Sequence, residues 1–247
     1  MAMSNAKYEV SANETASKHV PFAVVEAYKT IRTNIMFLLA KNEGRILSFP
    51  SANTGEGKST TSINVAVAFS QLGCKVLLVD ADMRRSSIHK KLKLDNENGL
   101  SNLIAGFCTF EQAVKHFNQN LDILTAGPIP PNPSELLGST QLDEIIAGIK
   151  GNYDYIIFDT PPINVVSDAL VLTPKTDGLI LVVRDEITEH DSFECALASA
   201  RFANINILGA VMNAADPAKG KNYKYRKYRY KKYNGYDSYN YKYEKKP

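Results

Sequence analysis

The chain of 247 residues, 44% hydrophobic and 22% charged, has the length and balance of one globular domain with appendages. Its net charge of +3 hides an asymmetry: residues 219–247 hold 11 Lys+Arg and 2 Asp+Glu, a net +9, and the other residues hold 18 basic and 24 acidic groups, a net −6. Three cysteines (Cys74, Cys108 and Cys195) without a CxxC spacing exclude a disulfide framework and suit reduced cytosolic thiols. No apolar run approaches the roughly 18 residues of a bilayer span, and the N-terminus lacks the apolar core of a signal peptide.

Residues 1–20 are polar and aperiodic, which predicts a flexible segment. From Pro21 to about residue 40, Val24, Tyr28, Ile31, Ile35 and Leu38 recur at three- and four-residue steps, the spacing of a helix with one apolar face. Residues 45–49 form a short apolar run, and a glycine-containing loop leads from it into a helical stretch at 59–71. Further apolar runs follow at 75–79, 121–124, 155–158, 179–183 and 207–212. Helical patterns lie between them at 110–116, 141–149 and 189–202. Thr109 with Gln112, and Thr188 with Asp191, read as capping boxes at two helix starts. Most of the short runs are apolar throughout, the mark of strands buried on both faces. Strands alternating with helices predict an α/β fold with right-handed crossovers: a mostly parallel central sheet with helices on both faces.

Beyond Ala215 the pattern stops. Residues 216–247 hold nine of the thirteen tyrosines: Tyr223, Tyr225, Tyr228, Tyr230, Tyr233, Tyr236, Tyr239, Tyr241 and Tyr243. Lys and Arg fill most of the gaps between them. Tyrosine usually contributes a large apolar surface to a core or interface. Without Leu, Ile or Val around it this segment cannot build a core, so it is expected to be disordered. The basic tail suits a polyanion, a membrane or an acidic surface.

The chemistry begins at Ser51-Ala52-Asn53-Thr54-Gly55-Glu56-Gly57-Lys58-Ser59-Thr60. This is close to the P-loop pattern Gly-x4-Gly-Lys-Ser/Thr, with Ala52 in the place of the first glycine. Gly55 and Gly57 let backbone N–H groups turn inward around a phosphate. The helix that follows aims its positive end at the same anion. Residues Asn53, Thr54, Gly55, Glu56, Gly57, Lys58, Ser59 and Thr60 are therefore expected to bind a nucleotide, ATP or ADP. Lys58 would reach the β- and γ-phosphates and Ser59 would ligate Mg²⁺. The run at 75–79 leads into Asp80-Ala81-Asp82-Met83-Arg84, and the run at 155–158 into Asp159-Thr160-Pro161-Pro162. Ligands of open parallel sheets bind at the carboxyl ends of strands, which gathers these carboxylates at the loop. Mg²⁺, a hard ion, takes oxygen from one or two carboxylates and from phosphates and water.

With these segments in hand, the chain resembles the bacterial tyrosine kinases, relatives of the MinD/ParA-type P-loop ATPases. The resemblance rests on the 52–59 loop (Walker A), Asp80-x-Asp82-x-Arg84 (Walker A′), Asp159-Thr160-Pro161-Pro162 (Walker B), the stretch Gly127-Pro128-Ile129-Pro130-Pro131-Asn132-Pro133-Ser134-Glu135-Leu136-Leu137 and the tyrosine tail. It covers the chain from about residue 20 to the end and is similar to the Firmicute type, in which the kinase and its transmembrane activator are separate polypeptides. Asn53 stands where MinD-like proteins carry a signature lysine. The family's Glu-x-x-Arg-x-x-Arg motif, which builds a ring-shaped oligomer, reads Glu26-x-x-Lys29-x-x-Arg32 here. Lys29 keeps the charge and loses the bidentate fork.

The resemblance implies an ATP-dependent protein-tyrosine kinase. It would phosphorylate its own tail tyrosines, each tail reaching the site of a neighbouring subunit, and would control capsular and extracellular polysaccharide synthesis and export. Ser59, Asp82 and Asp159 are the implied Mg²⁺ ligands. Lys58, Asp80, Asp82, Arg84 and Asp159 are the implied catalytic set. In it Asp80 accepts or orients the tyrosine proton, and Arg84 neutralises phosphate charge or positions the acidic loop. Asn213 is placed against adenine by the same resemblance; a loop-starting Asn is the plainer reading. The implied partners are other copies of the chain, a transmembrane polysaccharide co-polymerase as activator, and a cognate tyrosine phosphatase. The implied location is the cytoplasm, at the inner face of the membrane. The rival reading is a MinD/ParA-like ATPase switch whose basic aromatic tail binds membrane or nucleic acid; the kinase reading expects no nucleic-acid partner.

Overall fold

The computed structural model describes residues 21–39 and 45–215. The 1–20 segment and the tyrosines of the 216–247 tail lie outside the described residues. The chain divides after Asn213, and the first unit holds every described helix and strand.

In chain order the elements are α1 (Phe22–Leu39), β1 (Ile46–Phe49), α2 (Lys58–Ser70), β2 (Val76–Asp80), α3 (Ile88–Leu92), α4 (Leu100–Ile104), α5 (Phe110–Ala113), β3 (Val114–Asn118), β4 (Leu121–Leu124), α6 (Pro133–Gly138), α7 (Thr140–Ile149), β5 (Tyr155–Asp159), α8 (Asp168–Leu172), β6 (Gly178–Arg184), α9 (His190–Phe202) and β7 (Ile207–Asn213). The seven strands form one sheet in the order β3-β4-β2-β5-β1-β6-β7. Every pairing is parallel except β3 with β4.

The central strands β1, β2 and β5 are buried nearly throughout, as their unbroken apolar runs predict. On one face α1 and α2 cover Leu47, Phe49, Leu78 and Ile157. On the other, α4, α6 and α7 cover Leu77, Val79, Ile156 and Phe158. A third cluster joins β6 and α9 to Ala52 and Ile163.

Three local expectations are corrected. The helical stretch at 110–116 is a single turn, α5, that gives way to the antiparallel edge strand β3; pairing with β4 overrides the local pattern. The Thr109–Gln112 capping box forms as expected at the start of this turn, with Thr109 N–H donating to Gln112 Oε1 at 2.9 Å. The Thr188–Asp191 box does not form: Glu189 is the N-cap of α9 and the Thr188 hydroxyl turns elsewhere. The run at 207–212 is a strand, but an edge strand with Gly209, Ala210 and Met212 exposed, not one buried on both faces.

Candidate active site

The loop between β1 and α2 turns through two left-handed residues, Gly55 (φ 83°) and Gly57 (φ 96°), a region closed to most side chains. Gly57 is the N-cap of α2, so the amides of the first turn have no partner within the helix and form an anion site. Space adds a second constraint at Gly57. A Cβ there would fall 1.9 Å from Asn213 Nδ2, which donates to the Glu56 carbonyl at 2.9 Å. Asn213, at the end of β7, thus braces the loop. Ala52, in place of the first P-loop glycine, is buried in the cluster with Ile163, Leu179 and Leu181; its methyl contributes to the core.

Glu56 has a part that the motif did not foretell. Its side chain is 1% exposed. One carboxylate oxygen accepts from Asn53 N–H at 3.0 Å, and the other from the Thr188 hydroxyl at 2.7 Å. Thr188 Oγ1 also accepts from Arg184 N–H at 2.8 Å, and the Arg184 guanidinium donates to the Gly55 carbonyl at 3.1 Å. Arg184, the last residue of β6, and Thr188, four residues beyond it, were not anticipated as part of the site. No local sequence signal marks them, because they reach the loop only through the β1–β6 pairing.

Asp80 and Asp159 are register partners at the ends of β2 and β5. Lys58, at the start of α2, sits among the acids: Nζ is 2.8 Å from Asp82 Oδ2, 3.5 Å from Asp159 Oδ1 and 3.3 Å from Ser59 Oγ. Burial alone would lower the Lys58 ammonium, but the Asp159 and Asp82 carboxylates outweigh it and hold its pKa above the ordinary range. Burial pushes Asp159 upward against the Lys58 charge and the nearby Ser59 hydroxyl. Burial, then the Asp159 charge, raises Asp80 to about 7. Asp80 is bound to its own loop: Oδ1 accepts from Asp82 N–H at 3.2 Å, and Oδ2 from the amides of Ser87 at 3.1 Å and Ile88 at 3.0 Å.

Three buried carboxylates thus face one ammonium, and Asp159 Oδ2 is buried with no hydrogen-bond partner. This excess of acid and the orphaned oxygen fit a hard cation. Among the described residues no group of three or more His, Cys, Asp or Glu forms a cage for one, so phosphate and water oxygens would have to complete the shell, as is usual for Mg²⁺.

Arg84 turns its guanidinium to a different carboxylate. Nε and Nη2 form a fork on Asp168 at 2.8 and 3.0 Å. Asp168, the first residue of α8, has a fully buried side chain. The loop after β2 is thereby tied to the segment after β5. Sequence reading passed over Asp168, which stands nine residues after Asp159 and in no motif. On α1, Glu26 and Lys29 pair with each other at 2.7 Å, while Arg32 Nη1 donates to the Ala68 carbonyl of α2 at 2.8 Å.

A family model described as an AAA domain matches residues 44–190. The chain is 43% identical over 201 residues to the tyrosine-protein kinase YwqD of Bacillus subtilis (strain 168), covering 81% of this chain and 85% of that one. It is 39% identical over 203 residues to the putative tyrosine-protein kinase CapB of Staphylococcus aureus, covering 82% and 89%. Among solved structures, the chimerical protein CapA2B2 matches with a TM-score of 0.75 at 35% identity, over 80% of this chain and 87% of that one. The septum site-determining protein MinD of Pyrococcus horikoshii OT3, complexed with Mg-ADP, matches with a TM-score of 0.57 at 29% identity, over 68% and 69%. The likeness to proteins named as tyrosine kinases runs through more than four-fifths of the sequence, well beyond the nucleotide loop: the chain belongs to the bacterial tyrosine kinases and is a protein-tyrosine kinase.

Proposed function

We propose that the chain transfers the γ-phosphoryl group of Mg·ATP to the tail tyrosines of a neighbouring copy within an oligomer. Residues 21–215 are the kinase domain, 216–247 the acceptor tail and 1–20 a leading segment. The observation that carries the reading is the Lys58–Asp82–Asp159 cluster at the foot of α2, with its excess of acid and the orphaned Asp159 oxygen.

Phosphoryl transfer asks mainly for positioning and charge stabilisation. The loop amides from Thr54 to Ser59 cradle the phosphates, and Thr60 extends the cradle into α2. Lys58 exchanges its carboxylate partner for a phosphate oxygen. Ser59, Asp82 and Asp159 would hold Mg²⁺, which would supply charge neutralisation on the phosphate oxygens. Asp80 fixes the loop that carries Asp82, and it orients or accepts the proton of the attacking hydroxyl. An ordinary Asp is too weak a base for a tyrosine of pKa about 10, so Asp80 acts by orienting the hydroxyl or by accepting its proton late in the transfer. Arg84 positions this acidic loop through Asp168. Asn213 holds the P-loop at the edge where the base would lie.

A random-coil chain of about 25 residues spans roughly 25–30 Å, so the tail has the length to reach an adjacent site. Glu26, Lys29 and Arg32 form the subunit contact of a ring. Among the described residues no helix is long and apolar enough to cross a membrane. The kinase works in the cytoplasm, brought to the inner face of the membrane by a transmembrane activator and opposed by a tyrosine phosphatase. Its output is control of capsular and extracellular polysaccharide synthesis and export.

A mixing experiment tests the transfer between copies. A full-length Lys58→Met chain, isotopically heavy, is incubated with unlabelled parent chain, activator fragment and Mg·ATP. Phosphate on tail peptides of the heavy chain is the expected result. Phosphate confined to the unlabelled chain would refute transfer between copies.

A further inference from the structure

The loop after β4 leaves the sheet beside the acidic loop after β2, because Leu124 and Val79 are register partners one residue before Thr125 and Asp80. It carries Pro128, Ile129, Pro130 and Pro131, and Ile129 is 70% exposed. This apolar side chain is held outward on a rigid frame. The Asn96 amide clamps Gly127 from both sides, donating to its carbonyl and accepting from its N–H, each at 2.9 Å. The Ser101 hydroxyl donates to the Pro128 carbonyl at 2.7 Å. Around the frame stand exposed acids: Asp95 and Glu97 on the segment that Asn96 anchors, and Glu135 in the first turn of α6. Lys115, half-buried, is the nearby cation; its ammonium is turned to the Asn98 carbonyl at 2.7 Å. The segment between β2 and this rim is basic. Arg84, Arg85, Lys90 and Lys91 are exposed there, and Lys91 Nζ reaches Thr60 Oγ1 of α2 at 3.2 Å.

We propose that the 128–131 loop, with its rim of Asp95, Glu97 and Glu135, is the docking surface for the tail (219–247) of a second copy of this chain. Docking of this kind rests on the proposed transfer between copies. It adds a specificity rule: the site takes tyrosines set among Lys and Arg. Tyrosine rings pack on Ile129 and the proline faces, with hydroxyls left free. The tail's net +9 is drawn to the acidic rim, and this charge complementarity selects the occupant. A prefixed apolar knob limits the ordering cost on the docking side. Each phosphotyrosine brings about −1.5 to −2 charges, so the product is repelled from the surface that received the substrate.

Two readouts test this. In full-length enzyme, Ile129→Ser and Glu97→Lys are assayed separately on the Lys58→Met chain as acceptor, and a photo-crosslinking residue is placed at position 129 in a mixture with isotopically heavy chain. The expected result is an acceptor KM raised about tenfold by Ile129→Ser and about fivefold by Glu97→Lys. ADP affinity stays unchanged, and crosslinks fall in heavy 219–247 peptides and are lost once the tail is phosphorylated. An unchanged acceptor KM, or crosslinks mapping outside the tail, would overturn the proposal. If the parent enzyme leaves the Lys58→Met chain unphosphorylated while tail crosslinks still form, the transfer reading falls and the docking surface stands.

Discussion

Asp168 carries a carboxylate that burial would not tolerate alone, and the Arg84 fork supplies the compensating charge. Removing one partner of a buried pair costs about 3–5 kcal/mol. The Arg84 side chain is 42% exposed, so water offsets part of the loss, and about 1–3 kcal/mol is the expected cost of Arg84→Ala in urea unfolding. Arg84→Lys recovers only part, since an ammonium lacks the planar fork. Asp80 gives a pH signature. Its folded pKa of about 7 exceeds the ordinary 3.8, so between these values the folded chain binds more protons than the unfolded one. The stability it contributes is full below about pH 4 and is lost as pH rises through about 7. Asp80→Asn cannot ionise. The unfolding midpoint of the ligand-free variant therefore moves upward relative to the parent from about pH 4.5 to about pH 7.5; a pH-independent difference would contradict this. The motif residues themselves were legible, because Gly, Lys, Ser and Asp at these spacings have few other uses. Asp168, Thr188 and Arg184 were not, because their partners lie 84, 132 and 129 positions away.

At the scale of elements, the P-loop is a brace of three strand ends. Gly57 carries both a left-handed φ of 96° and the close approach of Asn213. Gly57→Ala is expected to lower ADP affinity at least tenfold by calorimetry. Adding Asn213→Ala removes the clash but not the φ strain, so it restores only part. Thr188→Val deletes the hydroxyl between Glu56 and Arg184. It is expected to cost about 1 kcal/mol of stability and to weaken ADP binding. The doubly buried strands and the longer helices were readable from their apolar runs and 3.6-residue period. The five- and six-residue helices α3, α4, α6 and α8 were not: so few residues carry no full period, and tertiary burial of Ile88, Leu100, Leu137 and Leu172 holds them. β3 and the exposed face of β7 were misread for the same reason, since position at a sheet edge is a property of topology and not of the local run.

For the whole molecule, charge is divided unevenly along the sequence. A body of net −6 carries a tail of net +9, and nine phosphotyrosines would bring the tail to roughly −5 to −9. On the proposed assembly, phosphorylation is expected to disperse the copies: a tail-phosphorylated sample should sediment as smaller species than the unmodified chain, and identical profiles would remove charge reversal as the release mechanism. The central claim, that the tail is the substrate of this active site, is met most directly by intact mass. Full-length chain with Mg·ATP and the activator's cytoplasmic fragment should gain successive phosphate increments that peptide mapping confines to the tyrosines of 223–243, and Lys58→Met should gain none. ATP hydrolysis without any gain of mass would contradict the account.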